Sequence, residues 1–429
     1  MKTIITDTKA IVRSVNGFMV RGCDILIDGD TIVSVDGADR RGCDRVIDGK
    51  NRLAIPGLVN SHTHSYMTLF RNSADDLSFN AWLFDRILPM EDRLLPGDSY
   101  WTTLLGMCEM LRSGTTSFLD MYIFPDDTAR AVIDSGMRTV ISRGLVGETA
   151  DDAGGIRRIK EAKHDIETYK NCADGRLTFM LAPHAPYSCA PAFIGTVVET
   201  AAELGVGIHT HLSESRNEVQ EHLEKYGCTP IELMEKSGLF TRKTAAAHCV
   251  YLQRQDYDIL RDRGVSVLTN PSSNMKLGNG FAPVREMLDK GIRVALGTDS
   301  AASNNTLNMF HEMNMLSLIH KGNHCDAECI SSTEAFTIAT ANGAEALGIN
   351  AGEIAVGKKA DIVLLDLTKP QMNPPANLIS SLAFSANGSE VDTVLVDGKV
   401  LLEKGRLTTI DEERVIYETN RIFERVNLQ

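Results

Sequence analysis

The chain has 429 residues, of which 43% are hydrophobic and 24% charged, a composition typical of a folded globular protein with room for two or three domains. Its formal net charge of −13 disfavours nucleic acid as a partner, because phosphate binding needs a basic surface. No stretch approaches the roughly 18 apolar residues of a membrane span, and the N-terminal segment lacks the apolar core of a secretion signal, so we expect a cytoplasmic protein without a membrane partner.

Both ends of the chain carry short alternating strands joined by tight turns. Residues 1–52 contain the turns "IDGD" (27–30) and "IDGK" (47–50), and Asp-Gly is a strong hairpin signal. The same style returns in "ADIVLLDL" (360–367) and "VDTVLVDGKVLLEKGRL" (391–407). We therefore expect one small β-domain built from residues 1–56 and 353–429, with a larger domain, 57–352, inserted between its two parts.

The central region repeats a β-branched run followed by a segment with helical spacing of apolar residues. Eight such runs occur, at 53–64, 114–121, 137–146, 177–186, 205–214, 244–252, 264–274 and 292–300. Strand and helix in alternation indicate parallel strands with helical crossovers, and eight strands close a barrel. The sequence thus predicts the α/β class, with a TIM-like (β/α)8 barrel and a small composite β-sandwich domain from both chain ends.

Most of these runs are apolar until their carboxyl end, where a polar or charged residue follows. The residues concerned are His62, His64, Asp120, Arg143, His184, His209, His211, His248, Asn270 and Asp299. In barrels of this kind the active site forms from the carboxyl ends of the strands and the loops after them. We therefore predict one convergent site.

Four of the strand-end residues form a candidate set of metal ligands. His62 and His64 are two apart, so both imidazoles should leave the same face of a strand, although a hydrogen-bonded histidine pair would show the same spacing. Together with His211 and Asp299 they offer three nitrogens and a carboxylate, which suit one divalent transition metal with a water completing its shell. Zinc is the first expectation, and Fe²⁺ or Mn²⁺ are the alternatives.

The cysteines are not expected to add a second site. All nine are scattered, with no Cys-x-x-Cys, and we expect reduced thiols. In the one cluster, "HCDAEC", His324, Cys325 and Cys329 could hold a metal, but a surface segment beside a helix is the favoured interpretation.

Four segments of the chain resemble the signatures of one known family. "PGLVNSHTHS", "HTHLSES", "AAHCVYL" and "GTDSAASNNTLNMFHEM" are similar to segments of the amidohydrolase superfamily, and specifically of the 5-methylthioadenosine/S-adenosylhomocysteine deaminase family. The resemblance covers nearly the whole chain. It implies a barrel with a composite β-domain and hydrolytic deamination of adenine nucleosides to the inosine analogue plus ammonia. Because His184 stands where two-metal members carry a carboxylated lysine, it also implies a single metal.

The resemblance assigns roles in catalysis. The family pattern H-x-x-E, met by His211 and Glu214, makes His211 a ligand and leaves His209 structural. It implies that Asp299 accepts the proton of the attacking water and that Glu214 donates a proton to N1 of the purine. His248 would hold the attacking hydroxide.

The resemblance also assigns substrate contacts, in which Glu214 and Asp299 share. Glu91 matches a position that contacts the ribose hydroxyls, His184 one that touches the purine or sugar, and Arg143 one that faces the 5′ substituent. Arg157 is a candidate for a second arginine there, in a region whose spacing departs from the family. No family motif includes Asp120, which we expect to be structural.

Three other functions stay open at this stage. A hydrolase of other heteroaromatics, such as a guanine deaminase or a chlorotriazine hydrolase, would share the His-x-His and the Asp of the eighth strand, but it has no ribose for Glu91 to bind. A barrel without catalysis is disfavoured because every proposed catalytic group is present. A cytidine-deaminase type of zinc site is disfavoured because Pro-Cys-x-x-Cys is absent. We expect a homo-oligomer that acts on a small-molecule nucleoside.

Overall fold

The computed structural model of the chain describes residues 1–14, 17–37 and 39–427. The strands of this described part are β1 (Lys2–Ser14), β2 (Gly17–Asp28), β3 (Thr31–Ser34), β4 (Arg45–Asp48), β5 (Arg52–Pro56), β6 (Leu58–Thr63), β7 (Thr115–Tyr122), β8 (Arg138–Leu145), β9 (Leu177–Pro183), β10 (Gly207–Leu212), β11 (Thr244–His248), β12 (Ser266–Thr269), β13 (Arg293–Leu296), β14 (Ile362–Asp366), β15 (Val391–Val396), β16 (Lys399–Glu403) and β17 (Arg406–Leu407).

The α-helices are α1 (Leu88–Glu91), α2 (Asp98–Arg112), α3 (Pro125–Ser135), α4 (Ala153–Tyr169), α5 (Pro191–Leu204), α6 (Arg216–Tyr226), α7 (Pro230–Lys236), α8 (Arg254–Asp262), α9 (Pro271–Lys276), α10 (Val284–Asp289), α11 (Met309–His324), α12 (Ser332–Ala339), α13 (Ala341–Leu347), α14 (Leu378–Phe384) and α15 (Glu412–Asn427). A π-helix spans Ala81–Ile87, and 3-10 turns span Ser65–Phe70, Ala173–Gly175, Leu239–Thr241 and Pro370–Met372. Among the described residues, no helix is both long enough and apolar enough to cross a lipid bilayer.

The two ends of the chain form one sheet, as the turn pattern predicted. Its strand order is β17-β16-β15-β14-β5-β1-β2-β3, with β4 paired to β1. The N-terminal and C-terminal parts meet where β5 runs antiparallel to β14, with Ala54 opposite Leu364. Inward-facing aliphatic side chains of both parts, such as Ile25 and Ile362, share one core. The exact domain limits, at 56 and 352, stay a prediction.

The eight strands β6 to β13 form the predicted parallel barrel, in chain order. The last strand returns to the first: the amide of Asp299 donates to the carbonyl of His62 at 2.9 Å, and Asn60 exchanges hydrogen bonds with Thr298 at 2.8 and 3.0 Å. This closure brings the first and eighth strand ends together. It is the reason that His62 and Asp299 belong to one site.

The run 53–64, which the sequence suggested as one strand, is two strands in different sheets. β5 belongs to the antiparallel sheet and β6 to the barrel, with Gly57 between them. A Cβ on Gly57 would lie 2.0 Å from the hydroxyl oxygen of Thr116, so only glycine allows the chain to cross so close to β7. The chain therefore changes sheets at that residue.

A buried ionic group joins the β-domain to the amino end of the barrel, opposite the predicted site. Arg138, the first residue of β8, donates to both oxygens of Asp361 at 2.8 and 3.2 Å and also contacts Asp397. All three side chains are at most 5% exposed. Because an unpaired buried charge is strongly destabilising, the two carboxylates need the cationic partner that Arg138 provides.

The C-terminal helix α15 packs on α2 and contacts residues in and beside the segment 81–91, which lies over the mouth of the barrel. Ile422 and Val426 enter an apolar cluster with Trp82 of the π-helix. Arg93 donates to the carbonyl of Val426 at 2.9 Å, and Arg425 donates to the carbonyl of Arg93 at 3.0 Å. The segment 81–91 is thereby held at the edge of the predicted active site.

Candidate active site

The predicted metal ligands meet at the carboxyl end of the barrel. His62 lies near the end of β6 and His64 follows it, while His211 is on β10 and Asp299 follows β13. The ligand atoms of His62, His64 and His211 lie within 4.8 Å of one another, as do those of His62, His248 and Asp299. His62 belongs to both groups, so the structure places Asp299 and His248 next to the three proposed ligand histidines.

A chain of hydrogen bonds fixes which nitrogen of His62 is free. The hydroxyl of Ser142 donates to the carbonyl of Asp120 at 2.9 Å, so its oxygen accepts from Nδ1 of His209 at 2.8 Å. Nε2 of His209 is then an acceptor, and Nδ1–H of His62 donates to it at 2.9 Å. Nε2 of His62 is left with a lone pair and no protein partner among the described residues. His209 therefore orients His62, a proposed ligand, and uses both of its own ring nitrogens in hydrogen bonds.

The other two ligand histidines are oriented by backbone carbonyls. Nδ1–H of His64 donates to the carbonyl of Met121 at 3.0 Å, and Nδ1–H of His211 donates to that of His184 at 2.8 Å. Their Nε2 atoms, both unprotonated, lie 3.3 Å apart. Two lone pairs facing each other at this distance repel unless a cation lies between them, so the arrangement fits a metal.

The spacing of the donor atoms also fits a single ion. Two donors about 2.1 Å from a tetrahedral ion stand roughly 3.4 Å apart. Oδ1 of Asp299 lies 3.5 Å from Nε2 of His62 and 3.7 Å from Nε2 of His64. Burial lowers the pKa of His62 to about 4 and that of His64 to about 3, so both imidazoles are neutral at neutral pH, the form that binds metals.

Asp299 is held by hydroxyls on one side and faces the histidines on the other. Its Oδ2 accepts from Ser273 at 2.6 Å and from Ser303 at 2.9 Å, while Oδ1 accepts from the amide of Ser300 at 2.8 Å. The backbone of Asp299 has a φ of 59°, in the left-handed region that residues other than glycine seldom adopt, so these hydrogen bonds must hold it there. Just before it, a Cβ on Gly297 would lie 2.8 Å from the amide nitrogen of His62, so the β6–β13 contact requires glycine.

His248 and Glu214 lie side by side next to the ligand cluster. Nδ1–H of His248 donates to Asn274 at 2.8 Å, which leaves its Nε2 lone pair 3.9 Å from Oε1 of Glu214. Asn279 donates to the same Oε1 at 3.1 Å. Burial raises the pKa of Glu214 to about 7, so a substantial fraction carries a proton at neutral pH, as a general acid must.

Glu218 accepts hydrogen bonds from the backbone amides at and before Glu214. Its carboxylate accepts from the amide of Ser213 at 3.0 Å and from the amide of Glu214 at 2.7 Å, and it is buried. Ser215 caps the amide of Glu218, so "SESRNE" contains an S-x-x-E capping pattern. The glutamate reaches past the cap residue to the two preceding amides, which the pattern alone does not predict.

A cavity of about 440 Å³ opens beside the ligand cluster and contains three of the predicted substrate contacts, whereas Glu214 and Asp299 line a smaller adjoining pocket of about 50 Å³. Its lining includes His64, Glu91, Arg143 and His184, together with the residues Tyr66, Leu83, Phe84, Leu88, Tyr122, Val146, Arg158 and Tyr187. Nδ1–H of His184 donates to Ser188 at 3.0 Å, so its Nε2 is an acceptor. Burial raises the pKa of Glu91 to about 7, and its carboxylate accepts a hydrogen bond from the phenol of Tyr66.

The two arginines of the cavity are Arg143 and Arg158, not Arg157. Arg143 donates to Glu161 at 3.0 Å, and its Nε is buried with no partner among the described residues. Arg157 is 70% exposed and contacts only the far oxygen of Glu161, at 3.6 Å. One helical step of about 100° turns Arg158 toward Arg143 and the cavity while Arg157 points to solvent.

Asp120, which the sequence predicts to be structural, supports the turn that follows His64. It accepts from the amide and hydroxyl of Ser65 at 2.7 and 3.0 Å. The cysteine cluster lies at the carboxyl end of α11, where His324 is the last helical residue, Cys325 is exposed and Cys329 is buried.

A family model and curated relatives identify the family of this chain. The amidohydrolase family model matches residues 53–401. The 5-methylthioadenosine/S-adenosylhomocysteine deaminase of Dictyoglomus thermophilum is 48% identical over 88% of both chains, and that of Caldanaerobacter subterraneus subsp. tengcongensis is 46% identical over 94% of both.

Solved structures of two zinc-containing enzymes share the fold. An adenosine deaminase from Xanthomonas campestris with bound zinc is 29% identical, with a TM-score of 0.93 over 100% of this chain and 99% of that one. Atrazine chlorohydrolase TrzN from Arthrobacter aurescens TC1, complexed with zinc, is 26% identical, with a TM-score of 0.90 over 98% of this chain and 100% of that one. The chain therefore belongs to the amidohydrolase family and, within it, to the family of 5-methylthioadenosine/S-adenosylhomocysteine deaminases.

Proposed function

We propose that the protein removes the 6-amino group of adenine nucleosides by hydrolysis, with 5-methylthioadenosine and S-adenosylhomocysteine as the first candidate substrates and adenosine and 5′-deoxyadenosine as further ones. The observation that carries this proposal is the cavity beside the histidine cluster. It contains Glu91, an acceptor suited to sugar hydroxyls, and it adjoins the pocket of Glu214, the proposed acid, because His64 and His184 line both. Its relatives' names point to the same substrates.

The proposed metal ligands are His62, His64, His211 and Asp299, with zinc as the expected ion. A divalent ion held there supplies Lewis acidity, which lowers the pKa of a water from about 15.7 to about 7. The fit rests on the converging Nε2 lone pairs and on the 3.3–3.7 Å donor spacing. The Xanthomonas campestris and Arthrobacter aurescens structures both contain zinc, which supports this ion over iron or manganese.

The side chains then divide the proton transfers. Asp299, with its Oδ1 facing the histidines, accepts one proton from the water that attacks C6 and passes it to the 6-amino group, so that the C6–N bond breaks and ammonia leaves. Glu214 donates a proton to N1 as the ring loses aromaticity and recovers one from the new C6 hydroxyl as the carbonyl forms, while Asn279 occupies its Oε1. His248 uses the Nε2 lone pair to orient the attacking water.

The far end of the cavity would bind the 5′ substituent. Leu83, Phe84 and Leu88 offer an apolar wall that suits a methylthio group. Arg143 and Arg158 offer guanidinium groups that suit the carboxylate of S-adenosylhomocysteine. His184 lies between the two ends and would contact the purine or the sugar.

A substrate screen tests the proposal. Purified zinc-loaded protein is given 5-methylthioadenosine, S-adenosylhomocysteine, adenosine, 5′-deoxyadenosine, guanine and a chlorotriazine, and ammonia or chloride release is measured. We expect turnover of the nucleosides and none of the last two. Turnover confined to guanine or to the chlorotriazine would reject the proposal in favour of another amidohydrolase activity. The expectation of a cytoplasmic homo-oligomer is tested separately, by fractionation and by light scattering.

A further inference from the structure

Tyr66 makes a hydrogen bond that links the turn after His64 to helix α1. Tyr66 lies in the 3-10 turn directly after His64, and its phenol contacts Oε1 of Glu91, at the end of α1. The tyrosine is only 3% exposed. Both side chains line the 440 Å³ cavity.

Hydrogen bonds hold the turn that carries Tyr66. Asp120 fixes the turn through the amide and hydroxyl of Ser65, and the amide of Met67 donates to the carbonyl of His64 at 3.0 Å. The hydroxyl of Tyr66 donates to Oε1 of Glu91, and this hydrogen bond favours the ionised form of Glu91, which can only accept. Within the described residues it is the one group that donates to the carboxylate of Glu91. The orientation of this carboxylate therefore depends on Tyr66.

The geometry suits recognition of a vicinal diol. Two neighbouring hydroxyls donate most favourably to a carboxylate whose plane is fixed, because a rotating acceptor loses one bond when it makes the other. The phenol occupies one lone pair of Oε1 and leaves the remaining acceptor sites of the carboxylate for the substrate. It also supplies the buried anion with a donor, without which its burial would be costly.

We propose that Tyr66 is a positioning residue that makes the enzyme selective for ribonucleosides over nucleosides without the 2′,3′-diol. The inference rests on the proposed function, since it requires Glu91 to bind the ribose hydroxyls. Tyr66 acts through Glu91 and touches no reacting atom. Its loss should therefore raise KM for a ribonucleoside while kcat changes little.

Steady-state kinetics of Tyr66→Phe on adenosine and 2′,3′-dideoxyadenosine tests the proposal. We divide kcat/KM for adenosine by kcat/KM for 2′,3′-dideoxyadenosine. We expect this ratio to fall roughly tenfold, through a higher KM for adenosine, because the hydrogen bonds from the ribose hydroxyls to the charged Glu91 are weakened. Tyr122→Phe is the matched control, since its phenol lines the same cavity but donates to Asp165 at 2.8 Å. It should leave the ratio unchanged.

Glu91→Leu and the double variant complete the test. Glu91→Leu removes the acceptor of the phenol and should lower the ratio at least as far, and Tyr66→Phe/Glu91→Leu should match Glu91→Leu, because Tyr66 then has nothing left to position. The double variant also removes the unpaired buried anion, so it remains usable if Tyr66→Phe folds poorly. Equal losses on both substrates in Tyr66→Phe, or a further fall of the ratio in the double variant, would overturn the role of Tyr66. If instead the unaltered enzyme fails to distinguish the two substrates, the assignment of Glu91 to the ribose fails first.

Discussion

Replacing Arg143 by alanine should weaken turnover of S-adenosylhomocysteine far more than that of 5-methylthioadenosine. A charge-assisted hydrogen bond to a carboxylate is worth about 1.5–3 kcal/mol. Glu161 already shares the guanidinium at 3.0 Å and is itself 37% exposed, so the lower end of that range applies. At about 1.4 kcal/mol per factor of ten, kcat/KM for S-adenosylhomocysteine should fall roughly 10- to 20-fold. 5-Methylthioadenosine has no carboxylate and should change by less than about threefold.

Steady-state kinetics on the two substrates measures this difference, and Arg157→Ala is the matched control. Arg157 contacts the same Glu161, at 3.6 Å, but is 70% exposed and does not line the cavity. Its replacement should leave both substrates unaffected. Equal losses on the two substrates in Arg143→Ala would show that the arginine supports the site through Glu161 alone, and would remove it from substrate binding.

Three further results are expected. Chelation should abolish turnover and one equivalent of zinc should restore it, as followed by activity and metal analysis; full activity in metal-free protein would contradict the ligand set. Glu214→Gln should lower kcat by several orders of magnitude with metal content unchanged, because an amide cannot donate the N1 proton; loss of the metal instead would make Glu214 a ligand. Arg138→Met should cost about 3 kcal/mol in the free energy of unfolding, measured with denaturant, because Asp361 loses its partner while Asp397 keeps contacts with Arg176 and Lys359 at 3.8 and 3.9 Å. An unchanged unfolding midpoint would refute that pairing as a source of stability.

The barrel and the convergence of the proposed ligands could both be predicted from the eight strand–helix repeats and the polar residues at their strand ends. Strand ends in a parallel barrel face the same side, so polar residues at those ends must converge whatever the details of the loops. His62, His64, His211 and Asp299 obey that rule, and the structure brings them together. Strand position could not separate His211 from His209, since both lie on β10. The hydrogen bond from His62 to His209 makes the distinction, and it joins residues 147 apart in sequence.

The residues that the sequence did not reveal depend on relations between elements. Arg158 enters the cavity because of the rotation of α4 about its own axis relative to β8, and nothing in "GGIRRIKEA" fixes that angle. Tyr66 looks like a core aromatic in sequence, and its partner Glu91 lies 25 residues away across a turn and a π-helix. For Glu218 a local signal did exist, since the S-x-x-E pattern placed it at a helix start. The pattern did not show that its carboxylate would bind the amide of Glu214.

The support around Glu214 explains how a buried carboxyl group can serve as an acid and remain in place. Protonation removes the charge that would otherwise anchor a carboxylate, so a side chain that must alternate between the two states needs anchors that do not depend on its charge. Glu218 supplies one by binding the backbone amide at 2.7 Å, which is unaffected by the proton on the side chain. Asn279 supplies the other at Oε1, which accepts a hydrogen bond in either state. The proton is therefore confined to the opposite oxygen, and the position of that oxygen is set by the fold and not by its charge.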